Sequence, residues 1–231
     1  MGKDVIIACD FKNKEETFAF LSKFTGKKPY LKIGMELFYA EGPGIVREIK
    51  ARGHKVFLDL KLHDIPNTVK SAMRVLMNLG ADMVNVHASG ASEMMKAACA
   101  AAKESENPPI LIAVTQLTST DERALKEELL INTPMKETVE KYALNAKNSG
   151  LDGVVCSPLE AEDVHAVCGK EFLTVTPGIR FADGEVGDQK RVMTPADAKK
   201  AGSDYIVVGR PITRADDPVG AYERCISEFI D

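Results

Sequence analysis

Eight short runs rich in Val, Ile and Leu recur at fairly even intervals along this 231-residue chain. They are DVIIACD (4–10), YLKIG (30–34), KVFLDLK (55–61), MVNVHA (83–88), ILIAVTQLT (110–118), GVVCS (153–157), FLTVTPG (172–178) and YIVVGR (205–210). Several are almost continuously apolar, as expected of strands covered on both faces of a parallel sheet. Helix-like segments lie between them. NKEETFAFLSKF follows the first run, and GPGIVREIKARG and IPNTVKSAMRVLMNLG end on glycines suited to a helix C-terminus. STDERALKEELL opens with a Ser-x-x-Glu capping box at Ser119 and Glu122, and TPADAKKAG places a capping threonine before proline. This alternation predicts an α/β fold, a (β/α)8 TIM barrel, with a doubly wound open sheet as the alternative. No Gly/Ser linker or low-complexity tract divides the chain, so a single domain over 1–231 is expected.

Composition removes several function classes. The formal net charge is −4 and no stretch concentrates lysine and arginine, which argues against nucleic-acid binding. No apolar stretch approaches the length of a membrane span. The amino-terminal MGKDVIIACD reads as a strand rather than a signal peptide, and lacks the Ser or Thr of a myristoylation site. Cys9, Cys99, Cys156, Cys168 and Cys225 are scattered, odd in number and never spaced as CxxC. Reduced thiols in a cytoplasm explain them better than disulfides or a zinc site.

The stretch FLDLKLHDIPNTV (57–69) carries chemistry inside an otherwise apolar run. Asp59 and Lys61 share one side of the strand by period-two alternation, and Asp64 follows three residues later. Buried charges are costly unless they are paired or used. In a barrel, chemistry gathers at the carboxyl ends of the strands. The ends of the first three strands carry Asp10, Lys32, and Asp59 with Lys61, on neighbours ~4.8 Å apart. One such charge is an ordinary structural ion pair; four converging at one rim favour function. An ammonium flanked by carboxylates is stabilised in its charged form, which suits proton donation and not amine nucleophilicity. Lys61 is therefore read first as a general acid.

The last two strands run into TPGIR, with Pro177 and Arg180, and into VVGRPITRA, with Gly209 and Arg210. Barrels often bind phosphate with the loops after strands seven and eight. Gly209 permits close approach of backbone amides, Arg210 offers a fork of donors, and Pro211 starts a helix. A single GxR is an ordinary turn; two at these two strand ends are more specific. The loop FADGEVGDQKRVM reads either as a lid whose Gln189 reaches the phosphate or as a solvated, mobile connection. His87 ends strand four facing the same rim, as a supporting hydrogen-bonder rather than a catalyst. His63 is expected to point away from the rim. Thr118 ends strand five, where it touches a ligand or merely caps the next segment. No HExxH, Walker loop or dinucleotide fingerprint is present.

VFLDLKLHDIPNT resembles the signature of the orotidine 5′-phosphate decarboxylase family, Asp-x-Lys-x-x-Asp-Ile/Val-x-Asn-Thr, with proline at the variable site. The resemblance extends over the chain through CDF, LKIGMELF, TPGIR…DQKR and YIVVGRPIT, in the length of the stand-alone bacterial form. It implies decarboxylation of orotidine 5′-phosphate to UMP without cofactor or metal. Lys61 would protonate C6, Asp59 would lie beside the departing carboxylate, and Lys32 and Asp64 would complete the array. Asp10 and Lys32 would hold ribose hydroxyls and Thr118 the pyrimidine. Arg180, Gln189, Gly209 and Arg210 would bind the phosphate and its closing loop, with Pro177 lining the site. The resemblance also implies a homodimer in which Asp64 and Thr68 enter the neighbouring subunit's site. Two other readings stay open: the magnesium-dependent sugar-phosphate decarboxylases that share the Asp-x-Lys-x-x-Asp core, and a non-catalytic phosphate-binding barrel. The IPNT continuation and DQKR loop favour the nucleotide branch.

Overall fold

A computed structural model describes residues 3–183 and 192–231. Its eight strands are β1 (Asp4–Ala8), β2 (Tyr30–Gly34), β3 (Val56–Leu62), β4 (Met83–His87), β5 (Ile110–Val114), β6 (Gly153–Val155), β7 (Leu173–Thr176) and β8 (Tyr205–Val208). All neighbours are parallel, and β8 pairs with β1, so the sheet closes into a barrel in chain order. Closure excludes the open-sheet alternative. The eight runs identified in the sequence are the eight strands, mostly trimmed at their carboxyl ends, because the residues beyond them turn out of the ladder into the rim.

The helices among the described residues are α1 (Lys14–Leu21), α2 (Met35–Glu41), α3 (Gly44–Ala51), α4 (Pro66–Met77), α5 (Ala91–Ala102) and α6 (Glu122–Glu127). They continue with α7 (Met135–Asn148), α8 (Ala161–Cys168), α9 (Pro195–Lys200), α10 (Arg210–Thr213) and α11 (Pro218–Phe229). None is long and apolar enough to cross a membrane. The expected Ser119–Glu122 capping box does not form. Asp121 caps α6 instead, accepting the Ala124 N–H, while Glu122 accepts the Met135 N–H at 2.9 Å. A carboxylate with its φ already extended outcompetes a serine two residues earlier. Thr194 caps α9 as expected.

Two apolar cores follow from strand alternation. Ile7, Leu31, Ile33, Leu58, Val84 and Val86 pack outward with helix residues such as Phe20, Val69, Met73 and Phe229. The alternate positions, Ile6, Ala8, Tyr30, Phe57, Met83, Ile112, Leu173, Val175, Tyr205 and Val207, form a separate cluster that fills the barrel. These interior side chains make the barrel a packed core rather than a pore. Continuing the same inward parity toward the carboxyl ends leads past this apolar plug to Asp10, Lys32, Asp59 and Asn85, so the register alone delivers polar groups to one rim.

β3 is irregular. It pairs with β4 at Leu58↔Val84 and next at Leu62↔Val86, so four steps on β3 match two on β4. Within this bulge Lys61 has φ 52°, a left-handed conformation that costs a non-glycine residue about 1 kcal/mol or more. Two extra residues leave the period-two parity intact, so Leu62 rejoins the outward cluster.

At the opposite end of β3, His54 is buried and its ring Nδ1 lies 3.0 Å from the Pro29 carbonyl, which only accepts, so the ring donates there. Burial lowers its pKa from 6.5, aided by Lys28 and Arg52 against the opposing Pro29 contact. A depressed histidine favours folding fully above the unfolded value and loses that contribution as pH falls below about 6.5 toward the folded one. Urea midpoints should thus decline less steeply between pH 7 and 5 for His54→Gln than for the wild type; parallel curves would refute this origin of the slope.

Candidate active site

Three strands build a chain of alternating charges at the carboxyl rim. Lys32 Nζ lies 3.1 Å from Asp10 Oδ1 and 3.3 Å from Asp59 Oδ2, and Lys61 Nζ lies 2.7 Å from Asp59 Oδ1. The order Asp10–Lys32–Asp59–Lys61 is the array expected from the strand ends. Register explains it: Ala8 pairs with Lys32 and Gly34 with Asp59, so the three strands present these groups at nearly one height.

Asp59 is the buried centre, 7% exposed, whereas Asp10 is open to solvent. Burial alone would raise the Asp59 pKa, but Lys32, Lys61 and the hydrogen bonds from Lys61 and Asn85 outweigh it and hold the carboxyl below the usual range. Burial would likewise lower Lys32, yet Asp59 and then Asp10 raise it above the ordinary lysine value. Space is matched as closely as charge. A Cβ on Gly34 would lie 3.1 Å from the Lys32 ammonium and 3.4 Å from Asp10 Oδ1, so the glycine leaves room for the pair.

A cavity of about 200 Å³ opens over this array, lined by Lys32, Asp59, Lys61, Gln116, Thr118 and Pro177 among others. Thr118 and Pro177 are thus brought to the same hollow as the charges. Arg180 and Arg210 meet in a separate, wider cleft of about 800 Å³, which Arg214 and Arg224 also line. Gly209 caps α10, the single turn that follows. The segment after Arg180 is tied at its base: Arg180 N donates to Met193 O and Met193 N to Gly178 O. Gln189 lies outside the described residues.

Asp64 does not join the array within the chain. It is exposed and accepts the N–H of Ile65 at 2.6 Å, and Thr68, in the first turn of α4, is exposed too. His63 also departs from expectation: its ring centroid lies 5.5 Å from that of His87 instead of pointing away. Position 63 shares the parity of Asp59 and Lys61, and position 87 that of Met83 and Asn85, so plain alternation already favours this approach over an outward His63. Burial, then His63 and Lys61, keep the His87 pKa low against the pull of Asp59.

Two contributors escaped the sequence reading. Gln116, buried, lines the cavity. Asn85, 1% exposed, donates from Nδ2 to Asp59 Oδ1 at 2.7 Å and accepts the Lys61 N–H at 2.8 Å. Its signal was available: in MVNVH it is the polar residue on the inward parity of Met83.

A closed parallel barrel with a buried carboxylate between two ammoniums at its carboxyl rim, and arginines after strands seven and eight, places the protein among the (β/α)8 barrels with a charged catalytic-type rim. The sequence profile of the orotidine 5′-phosphate decarboxylase / HUMPS family matches residues 3–225, and the chain belongs to that family. It is 56% identical to orotidine 5′-phosphate decarboxylases of Bacillus cytotoxicus and Bacillus cereus, over 96% of this chain and 95% of each relative. Among solved structures, an orotidine 5′-phosphate decarboxylase of Lactobacillus acidophilus superposes with TM-score 0.89 at 43% identity, covering 99% of this chain and 100% of that one. An uncharacterised conserved protein of Geobacillus kaustophilus gives 0.87 at 52% identity, covering 97% and 99%.

The charge chain makes unequal demands on its members. Removing Asp59 leaves the nearly buried Lys32 ammonium with only solvent-exposed Asp10, so Asp59→Ala should cost about 3 kcal/mol in urea unfolding. Lys61→Ala leaves Asp59 held by Lys32 and Asn85 and should cost under about 1 kcal/mol. Equal losses would show that Asp59 is not the hub.

Proposed function

We propose that this protein decarboxylates orotidine 5′-phosphate to UMP and carbon dioxide in de novo pyrimidine biosynthesis, in the cytoplasm, without metal or organic cofactor. One observation carries the reading: the buried Asp59 carboxylate gripped by Lys32 and Lys61 beneath a small cavity, in a chain 56% identical to curated orotidine 5′-phosphate decarboxylases.

The chemistry follows from that grip. The bond from C6 to the carboxylate breaks, its electron pair stays on C6, and carbon dioxide departs. The pyrimidine ring does not readily delocalise this pair, so stabilisation must come from outside. The Lys61 ammonium, oriented by Asp59, faces the developing charge and then donates its proton to C6, after which solvent reprotonates it. Preorganisation is the benefit: the dipoles and charges are in place before the reaction. Asp59 beside the substrate carboxylate adds repulsion relieved as carbon dioxide leaves, roughly 4 kcal/mol for two charges ~4 Å apart at an effective dielectric near 20. Binding energy from the distant phosphate, on Arg180, Gln189, Gly209 and Arg210, holds the substrate against that repulsion. Asp10 and Lys32 take ribose hydroxyls and Thr118 the pyrimidine, with Pro177 against the ring.

Asp64 and Thr68 are assigned to the site of a second copy. Both are exposed beside Ile65, itself 67% exposed, at the mouth of β3. Mixing Lys61→Ala with Asp64→Ala subunits should then restore about a quarter of wild-type activity, since half the dimers carry one complete site. No recovery after subunit exchange would put Asp64 in its own chain's site or outside any.

The matched family also spans the sugar-phosphate branch, so the deciding assay is conversion of orotidine 5′-phosphate to UMP in buffer containing EDTA. Turnover is expected there, abolished by Lys61→Ala while UMP still binds. Activity only on a keto-sugar phosphate with magnesium restored would move the chain to the sister branch. Arg210→Ala should weaken UMP by tenfold or more (on the order of 1.4 kcal/mol) and leave uridine nearly unchanged.

A further inference from the structure

The bulge in β3 creates a problem that Asn85 solves. Four steps of β3 pass two of β4, so the Lys61 N–H falls between ladder rungs at a residue held in the left-handed region. An orphaned amide at a strained residue next to the reacting group would leave that residue free to relax. Asn85, on the inward face of β4, accepts this N–H with Oδ1 at 2.8 Å. Its Nδ2 donates at 2.7 Å to Asp59 Oδ1, the same oxygen that receives the Lys61 ammonium at 2.7 Å. The contacts close a ring: Asp59 carboxylate, Asn85 amide, Lys61 backbone, Lys61 side chain, and back to Asp59.

The amide orientation is unambiguous. Turning it over would set Oδ1 against a carboxylate oxygen and Nδ2 against an N–H, two repulsions in place of two hydrogen bonds. Residue type is restricted with equal force. Aspartate keeps the acceptor but opposes Asp59, leucine keeps the volume but neither bond, and asparagine alone of these supplies both ends. At 1% exposure no water competes for either.

We propose that Asn85 is a positioning residue for the reaction assigned above, fixing the Asp59 carboxylate and the strained Lys61 backbone in one geometry so that the ammonium stays aimed at C6. The inference rests on that functional reading and adds a residue to it. Asn85 acts through Asp59 and Lys61, not on the substrate. Without it Lys61 still has a carboxylate partner, but its backbone no longer has a reason to keep φ positive, and its ammonium moves with it. A displacement of about 1 Å in a reacting group costs on the order of a hundredfold in rate.

The test compares wild type, Asn85→Leu and Asn85→Asp in the orotidine 5′-phosphate assay with EDTA, with UMP affinity measured alongside. Asn85→Leu should lose roughly a hundredfold in kcat while UMP affinity changes less than about threefold, because the phosphate grip is remote from β4. Asn85→Asp keeps the Lys61 anchor and adds a like charge beside Asp59. That carboxylate is already faced by Lys32 from β2, Lys61 on its own strand and His87 further along β4, with Asp10 beyond Lys32. The acid limb of its kcat/KM profile should therefore move to higher pH, while the loss of kcat at unchanged UMP affinity in Asn85→Leu is the change that a purely structural role for Asn85 would not produce. Wild-type kcat in Asn85→Leu, equal losses of kcat and UMP affinity, or an unmoved acid limb in Asn85→Asp would each overturn the proposal. If Asn85→Leu does not fold, the Asn85→Asp profile decides by itself. An inactive wild type would overturn the functional reading, and the proposal with it, whereas an active wild type matched by both variants would overturn the proposal alone.

Discussion

The burial of one carboxylate between two ammoniums organises this molecule's rim. Asp59 reaches Lys32 through one oxygen and Lys61 through the other, and neither lysine could be sunk so deep without it. Ion pairs of this kind contribute little net stability, since desolvation offsets most of the attraction. What they supply is geometry: groups that cannot exchange partners hold still. The rest of the barrel supports that stillness. Inward residues below the array pack an apolar plug, so the charges face low-dielectric material on one side and the cavity on the other.

Fold and site are tied through register. Because Ala8 pairs with Lys32 and Gly34 with Asp59, a slip of one residue between β1, β2 and β3 would turn a charge toward the helices and an aliphatic side chain toward the cavity. The outward faces of the same strands, Ile7, Leu31, Ile33 and Leu58, enforce the register by their burial beneath the helices. The hydrophobic pattern that folds the chain is therefore the pattern that aligns the site.

Much of this was legible in the sequence because it depends on regular periodicity. The eight strands, their parallel closure, and the meeting of Asp10, Lys32, Asp59 and Lys61 follow from alternation and from the habit of barrels to place polar groups at strand ends. The failures have separate causes. His63 lies just past the end of β3 on the parity of Asp59 and Lys61, so its approach to His87 was available from alternation and was missed. Asn85 was passed over because an amide in an apolar strand reads as a tolerated exception until its two partners are seen. The capping of α6 moved to Asp121 because adjacent residues competed for one role. Asp64 and Thr68 point to solvent in a single chain, and no pattern within one copy says what they serve.

The backbone bonds joining Arg180 and Met193 across Gly178 have a consequence for how such a protein can vary. They bring the departure and return of the chain to a single point beside β7, so residues added or removed between them leave the strands on either side in step. The entropic cost of a longer excursion grows only with the logarithm of its length. The register of β7 and β8 is thus insulated from changes of length there, whereas the β3–β4 junction, where one inserted pair of residues aims a lysine, admits no such drift.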